Sequence, residues 1–496
     1  MSAEGAATGR LDRSHRRIPE CIGLLLLLLI PTVVGLTESQ RADVSTLTPQ
    51  ELGFMAHINH IVFVVLENHA YDNYYGRYCL QVNPVCPMAA AGIPAGTCVP
   101  LNATLPTGPC VRPFNNTPAN WTVSGLMPHD WNASNLSWNH GAMNGFYAAE
   151  GSGLNPFGTY NGSTAPIYWD LAQEYGLSDR FFTSVLDYSL PNHWHFVAGA
   201  APQAILYAGS DYTLHQNVSA FIRNDHTYLN ESNATPTIED LLLNSSVSWK
   251  YYEFALGSYA SAIRIVADPN GTDVASTGRA YDYFNPQAAR AESYNQSFAN
   301  HYVVNSQFYA DAANGSLPAL SWVIPPGQDA DHPPDNSTYA QGWLGSIVNS
   351  VENSPDWNST AIYVTWDDYG GFYDQVDPPQ FLGQQLGFRV PLLEISPYTP
   401  AGVVSDSFGF FESVLHLMEW RFHLGCLTAL DCGAPLPLWG FDFQAPPRAP
   451  LQFPTNVSVA HYPYIGPALS PFAHTHPYVP PEQYVVFPSG QAPDVD

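Results

Sequence analysis

Two acidic steps in the chain are placed where chemistry is done. Glu67-Asn68 directly follows the apolar run His60–Leu66, and Asp367-Asp368 follows the run Thr360–Thr365 and Trp366, just ahead of Gly370-Gly371. In an open parallel sheet, ligands gather at the carboxyl ends of the strands. Three carboxylates and one amide at two such ends can converge on one point. Left alone there they would repel one another and carry a large desolvation penalty, and a cation is the simplest remedy. An all-oxygen set suits a hard ion such as Mg²⁺, Ca²⁺ or Mn²⁺ better than a thiolate-type zinc site. Either pair alone also reads as ordinary polar loop; the two together, both after apolar strands, point to the cation.

A second group is Ser189-Leu190-Pro191-Asn192-His193. A serine two residues before a proline reads as a helix N-cap with the proline in the first turn. Its hydroxyl would then sit where backbone N–H groups and the helix dipole favour anions, as a nucleophile for a phosphoryl group requires. A merely capping serine reads the same locally. His129, in Met127-Pro-His-Asp130, and His332, in Asp329-Ala-Asp-His-Pro-Pro334, are the candidate histidines. An isolated loop histidine is often only structural.

These groups need a scaffold to hold them. The runs His60–Leu66, Ala319–Ile324, Thr360–Thr365 and Arg389–Ile395 are short, apolar and rich in β-branched residues, as strands buried on both faces are. Helical patterns alternate with them. Leu344, Ile347, Val348 and Val351 define one helix, which must stop before Pro355. Phe411, Val414, Leu415, Met418 and Phe422 define another, closed by Gly425, and a third is capped by Thr164 with Pro166 in its first turn and Gly176 past its end. Alternation of this kind predicts an α/β fold with a mainly parallel sheet. The organisation expected is a catalytic domain over 54–433 with loop-rich insertions at about 79–125 and 205–300. A Pro- and aromatic-rich tail, packed on the body, fills 434–496.

Composition bounds the partners. The 496 residues carry 16 Lys+Arg against 43 Asp+Glu, a formal charge of −27, and Lys250 is the single lysine. Such a surface repels phosphate backbones, so nucleic acid is excluded as a partner. The 25 Phe, 29 Tyr and 12 Trp argue against a disordered acidic chain. Residues 1–36 read as a signal peptide, or else an uncleaved N-terminal membrane anchor. Arg10, Arg13, Arg16 and Arg17 precede the apolar run Ile22–Leu36. The expected location is therefore extracellular or at the cell surface. Beyond Cys21, the six cysteines Cys79, Cys86, Cys98, Cys110, Cys426 and Cys432 suit disulfides. Cys426–Cys432 is a natural short loop; the pairing of the other four is open. Sixteen of the 31 asparagines start an N-x-[ST] sequon, about three times the chance number, which suits N-glycans.

The order of these segments resembles the secreted phosphoesterase family of bacterial phospholipases C and acid phosphatases, within the alkaline-phosphatase-like superfamily. The resemblance is carried by Ile61–Gly76 (IVFVVLENHAYDNYYG), Gly141–Phe146 (GAMNGF), Ser189–Gly199 (SLPNHWHFVAG), Asp331–Pro334 (DHPP), Ser354–Trp357 (SPDW), Thr365–Pro379 (TWDDYGGFYDQVDPP) and Gly387–Tyr398 (GFRVPLLEISPY). It implies a three-layer α/β/α sandwich. It implies one divalent metal ion (Mg, Ca, Mn or Zn) on Glu67, Asn68, Asp367 and Asp368, and Ser189 as nucleophile. His129 and His332 are the further catalytic residues, with Asn68, Asn192 and His193 contacting the substrate. Asp374-Gln375-Val376 stands where many members have Asp-His-Val.

The implied activity is that of an exported, metal-dependent acid phosphatase working through a phosphoserine. A phospholipase C-type phosphodiesterase, acting on phospholipid head groups, is the alternative within the family. A non-enzymatic glycosylated cell-surface protein that keeps the fold is the alternative outside it. The acidic, nearly lysine-free composition adds an expectation of activity between roughly pH 3 and 6, limited on the acid side by protonation of metal ligands.

Overall fold

The run HIVFVVL forms strand β1 (His60–Leu66), buried in all but its first residue, and it lies at the heart of a nine-stranded sheet. The structure, a computed structural model, describes residues 47–82, 86, 92–105, 107–116, 127–151, 153–201, 235–253, 301–325, 329–334, 336–455 and 486–487. The other sheet strands are β2 (Gly176–Phe182), β3 (Trp249–Glu253), β4 (Tyr302–Val304), β5 (Leu320–Val323), β6 (Thr360–Trp366), β7 (Arg389–Ile395), β8 (Val403–Ser405) and β9 (Gly409–Phe410). Their order is β8-β2-β7-β6-β1-β5-β3-β4, with β9 also beside β2. Every pairing is parallel except the two made by β7, which runs against β6 and β2. The mainly parallel sheet is thus confirmed, with one reversed strand that the apolar run of β7 did not announce.

Helices cover both faces. Those that matter here are α1 (Pro49–His57), α2 (Tyr71–Tyr75), α3 (Trp131–Trp138), α4 (Pro166–Glu174), α5 (Ser189–Ala198), α6 (Asn305–Asn314), α7 (Ser337–Glu352) and α8 (Phe411–Phe422). Phe63 of β1 and Tyr363 of β6 are register partners and share a face. Phe63 packs on Phe196 of α5 at 5.1 Å, and Phe196 packs on Phe411 of α8 at 3.9 Å. Trp366, three residues beyond Tyr363, points the other way and meets Tyr168 of α4 at 5.2 Å. Helices α6 and α7 pack together on that second side, and α7 packs on α4. The result is the three-layer α/β/α sandwich.

Several local expectations are corrected. Thr164 is not the cap of α4: Ala165 takes that position, and the Thr164 hydroxyl instead closes a turn with Asn161. Helix α8 ends before Gly425, because His423 adopts the left-handed conformation at φ 56°. Strand β2 had no counterpart in the sequence reading, since Ser178-Asp179-Arg180 interrupts its apolar pattern. The stretch 205–300 is not wholly an insertion, for β3 and a short helix Ile238–Leu243 within it belong to the body. Within 434–455 Phe441 and Phe453 enter the core, and the Gly440 amide donates to Glu394. The six cysteines beyond Cys21 all pair, as Cys79–Cys86, Cys98–Cys110 and Cys426–Cys432. Residues 1–36, read as a signal peptide or anchor, and the sequons at Asn217 and Asn456 lie outside the described residues, as do residues 205–234, 254–300 and most of 456–496.

Candidate active site

The register of the two central strands builds the site. Leu66 of β1 pairs with Trp366 of β6, and the Asp367 amide extends the ladder to the Leu66 carbonyl at 2.9 Å. Glu67 and Asp367 therefore leave the sheet side by side, as do Asn68 and Asp368. Asn68 turns at φ 62°, a conformation asparagine tolerates. Its amide N–H donates to Asp367 Oδ1 at 2.8 Å, which also accepts from the Asp368 N–H at 2.8 Å. Gly370 and Gly371 follow at φ 61° and 82°. A Cβ on Gly370 would stand 2.0 Å from the Asn68 carbonyl oxygen, and one on Gly371 2.6 Å from Met127 Cβ. The glycine pair is what lets the Asn68 and Met127–His129 segments close on each other.

Ser189 is the first residue of α5, not its cap; Tyr188 holds the cap position. The Ser189 hydroxyl donates to Asp368 Oδ2 at 3.0 Å rather than serving the helix backbone. Asn192, expected to touch substrate, has its amide engaged by the loop before Ser189. Its Oδ1 accepts from Val185 N at 3.2 Å, and its Nδ2 donates to the Asp187 and Tyr188 carbonyls at 3.0 and 3.2 Å. It fixes the turn that presents Ser189.

One helical turn beyond Ser189, His193 lies on the same side of α5. Its Nε2 is 3.3 Å from Glu67 Oε1 and 3.5 Å from Asp367 Oδ2. Ligand atoms of Glu67, His193 and Asp367 all lie within 4.8 Å of one another. This divides the expected ligand set differently. His193, assigned to substrate, joins Glu67 and Asp367, while Asp368 turns to Ser189, Asn68 and His129. The spacing of Ser189 and His193 on one helix face was the signal that could have found this.

The orientation of Asn68 follows from its neighbours. Its Nδ2 contacts His129 Nε2 at 2.8 Å and Asp368 Oδ2 at 3.4 Å, which leaves Oδ1 as a buried atom with no partner. His129 Nδ1 is bonded to the Met127 carbonyl at 2.6 Å, so that nitrogen carries the hydrogen and Nε2 accepts. His332 lies in the loop Asp331–Pro334. Its Nδ1 meets the Pro333 carbonyl at 2.7 Å, in a loop tied to the site by the Glu67 N–H, which donates to the Ala330 carbonyl at 2.8 Å.

The cluster is short of positive charge. Burial and the charge of Asp367 push the Glu67 carboxyl up to about 8, although His193 pulls the other way. Burial works on Asp367 as well, but the His193 imidazole 3.5 Å from its Oδ2 holds it well below the usual carboxylate range. Burial disfavours the His193 imidazolium, yet its bonds to Asp367 and Glu67 win and raise it to about 10. Glu67 Oε2, Asp367 Oδ2 and Asn68 Oδ1 are all buried without a hydrogen-bond partner. Unpaired acceptor oxygens beside one imidazole fit a divalent cation. Gln375, where a histidine is common in the resembling family, is drawn elsewhere: its Nε2 donates to the Gly92 carbonyl and its N–H to Asp72 Oδ2.

The chain is similar to "Phospholipase C B" of Mycobacterium tuberculosis, with 28% identity over 448 residues covering 80% of each chain. It is similar to "Non-hemolytic phospholipase C" of Burkholderia pseudomallei, with 24% identity over 81% of this chain and 59% of that protein. Among solved structures, a protein in the alkaline phosphatase superfamily from Vibrio parahaemolyticus superposes with a TM-score of 0.29 at 13% identity, over 57% of this chain and 64% of that one. The model of the Phosphoesterase family matches residues 58–425, a span that contains every group of the cluster. The chain belongs to this family, and it is a phosphoric ester hydrolase.

Proposed function

We propose that the chain is an acid phosphatase that cleaves phosphate monoesters through a phosphoserine on Ser189. The observation that carries the reading is the Ser189 hydroxyl at the start of α5, bonded at 3.0 Å to a carboxylate, Asp368, and one helical turn from the Glu67–Asp367–His193 cluster. Asp368, whose Oδ2 already accepts the Ser189 hydroxyl hydrogen, takes the serine proton in its ionised form. Ser189 Oγ bonds to phosphorus as the bond to the leaving oxygen breaks, and its proton passes to Asp368 Oδ2. The N–H groups of the first turn of α5 face the charge on the phosphoryl oxygens. His129 holds the Asn68 amide through its Nε2, and His332 protonates the leaving oxygen. Water then hydrolyses the phosphoserine.

Glu67, Asp367 and His193, with Asn68 Oδ1, would hold the divalent cation. Bound there, it would act as a Lewis acid toward the phosphoryl oxygens. The monoester reading is supported by the charge of −27 with a single lysine, which disfavours docking on anionic membranes. It is supported too by the enclosure of Ser189, only 1% exposed. A phospholipase C-type diesterase is the second reading, favoured by the names of the two relatives. A panel of p-nitrophenyl phosphate, bis-p-nitrophenyl phosphate and phosphatidylcholine, each with and without chelator, decides. Faster turnover of either diester than of the monoester would reject the phosphatase reading.

A further inference from the structure

The sequons raise the question of what covers the rim of the site. Nine of their asparagines are among the described residues and none is buried, whereas the asparagines that are buried, Asn68, Asn73, Asn116 and Asn192, all lie outside sequons. In two sequons the hydroxyl at the third position already bonds the asparagine carbonyl oxygen. Thr104 Oγ1 donates to Asn102 Oδ1 at 2.8 Å and Ser163 Oγ to Asn161 Oδ1 at 2.7 Å. That pairing occupies Oδ1 and leaves Nδ2, the atom that would carry a sugar, outside the turn.

Two sequons, Asn132-Ala-Ser and Asn135-Leu-Ser, fall on one helix beside the site. Helix α3 starts at Trp131, capped by Asp130, whose side chain accepts from the Ala133 N–H at 2.9 Å. Its inner face is Ala133, Ser134 and Ser137, all buried, so Asn132 and Asn135 stand on its outer side. His129 lies three residues before Asn132, at most about 11 Å along the chain. His129 and His193 have side chains 12% and 15% exposed, while Asp367 and Asp368 are closed off, so solvent reaches the site past the two histidines. The same outer side shows Trp131 and Leu136, 43% and 46% exposed. Such residues beside a site mouth would otherwise suit insertion into a lipid interface.

We propose that Asn132 and Asn135 are N-glycosylation sites, and that their oligosaccharides cover Trp131 and Leu136 and keep the mouth of the site off a bilayer. The proposal rests on the reading of the Ser189 site and restricts its substrates to soluble phosphate esters. The modification joins Asn Nδ2 to the anomeric carbon of a glycosyl diphosphate donor. The anomeric C–O bond to the diphosphate breaks, and one Nδ2 proton leaves to base. The Nδ2 of Asn135 keeps its second hydrogen for its bond to the Trp131 carbonyl at 2.7 Å.

The test has two parts and neither needs turnover. Glycopeptide mass spectrometry on the protein collected outside the cells that make it should find a hexose-containing adduct on Asn132 or Asn135. Both residues unmodified would overturn the proposal. Flotation with phosphatidylcholine vesicles then compares the wild type with the double variant Asn132→Gln, Asn135→Gln. The wild type should stay in the dense fraction and the variant should float several-fold more. Equal flotation of the two proteins, or flotation of the wild type itself, would overturn the shield. Failure of the phosphatase reading would show separately, as a wild type without monoesterase activity whose glycopeptides and flotation still behave as stated.

Discussion

The same two loops each contribute a second acid to a second buried pair. Five residues after Glu67 comes Asp72, and seven after Asp367 comes Asp374. Both are fully buried, and Arg389 of β7 lies between them. Its Nη2 donates to Asp72 Oδ1 at 2.9 Å, its Nε to Asp374 Oδ2 at 3.1 Å and its Nη1 to the Asp179 carbonyl at 2.9 Å, and it stacks over Tyr71 at 4.2 Å. The Gln375 and Val376 N–H groups bind the remaining oxygens, Asp72 Oδ2 and Asp374 Oδ1, and the Asp72 N–H adds a second donor to Asp374 Oδ2. Each acid oxygen there has a donor. The Glu67–Asp367 pair keeps buried oxygens without one. The chain thus supplies its own cation to one pair and leaves buried acceptor oxygens open at the other, where we propose that a divalent cation binds. A structural pair is closed by covalently attached donors, and a functional pair is left open in the shape of its ligand.

The largest effect is expected beside the open pair. Ser189→Ala should lower turnover of p-nitrophenyl phosphate by about a thousandfold or more. The melting temperature should hardly move, because only one side-chain hydrogen bond is lost. Turnover within tenfold of wild type would break the assignment. The closed pair should respond the other way. Arg389→Met strands two buried carboxylates and should cost about 3–5 kcal/mol of unfolding free energy, measured in urea. Added divalent metal should not restore that loss.

Metal sharpens the contrast at a smaller scale. Saturating a site at 100 times its dissociation constant stabilises the fold by about 2.7 kcal/mol. A melting shift of that size is expected for the wild type on adding Mg²⁺, Ca²⁺, Mn²⁺ or Zn²⁺, and it should vanish in Asp367→Asn and Glu67→Gln. An undiminished shift in both variants would place the cation elsewhere.

Much of the open pair was legible because it follows continuous apolar strands. The runs ending at Leu66 and Trp366 fix where Glu67 and Asp367 emerge, and Gly370-Gly371 marks a close approach of backbones. The closed pair was not legible. Arg389 opens a strand that read as parallel, and nothing local says that β7 is reversed or that its guanidinium points between two loops. Helix α5 was readable from Pro191, yet Asn192 and His193, both expected to contact substrate, take different partners. Asn192 braces a loop and His193 faces the acids, a matter of helix phase one residue apart. Strand β2 escaped because Ser178-Asp179-Arg180 breaks its apolar pattern, and the strand is made by residues 176–178 and 181–182 pairing with β7, β8 and β9 on either side of that break.

Glu394 is a third way to neutralise a buried acid, and its effect shows only as a pH dependence. It sits in β7 with its side chain fully buried, and Oε2 accepts from the Gly440 N–H at 2.8 Å. Oε1 has no partner, and neither an arginine nor a cluster of ligands stands beside it. Burial pushes the carboxyl up to about 8, so the neutralising charge is a proton. The sign follows from which state holds that proton. The unfolded glutamate releases it near pH 4.3, while the folded one keeps it until about 8. Glu394 therefore contributes stability that is complete below the unfolded value and is lost as pH rises through the folded one. The slope is at most about 1.4 kcal/mol per pH unit from this group. Glu394→Gln keeps the shape and removes the titration, so the wild type should lose stability from pH 5 to 8 more steeply than the variant. Parallel curves of unfolding free energy against pH would show that Glu394 is ionised in the fold, with a positive partner in place of the proton.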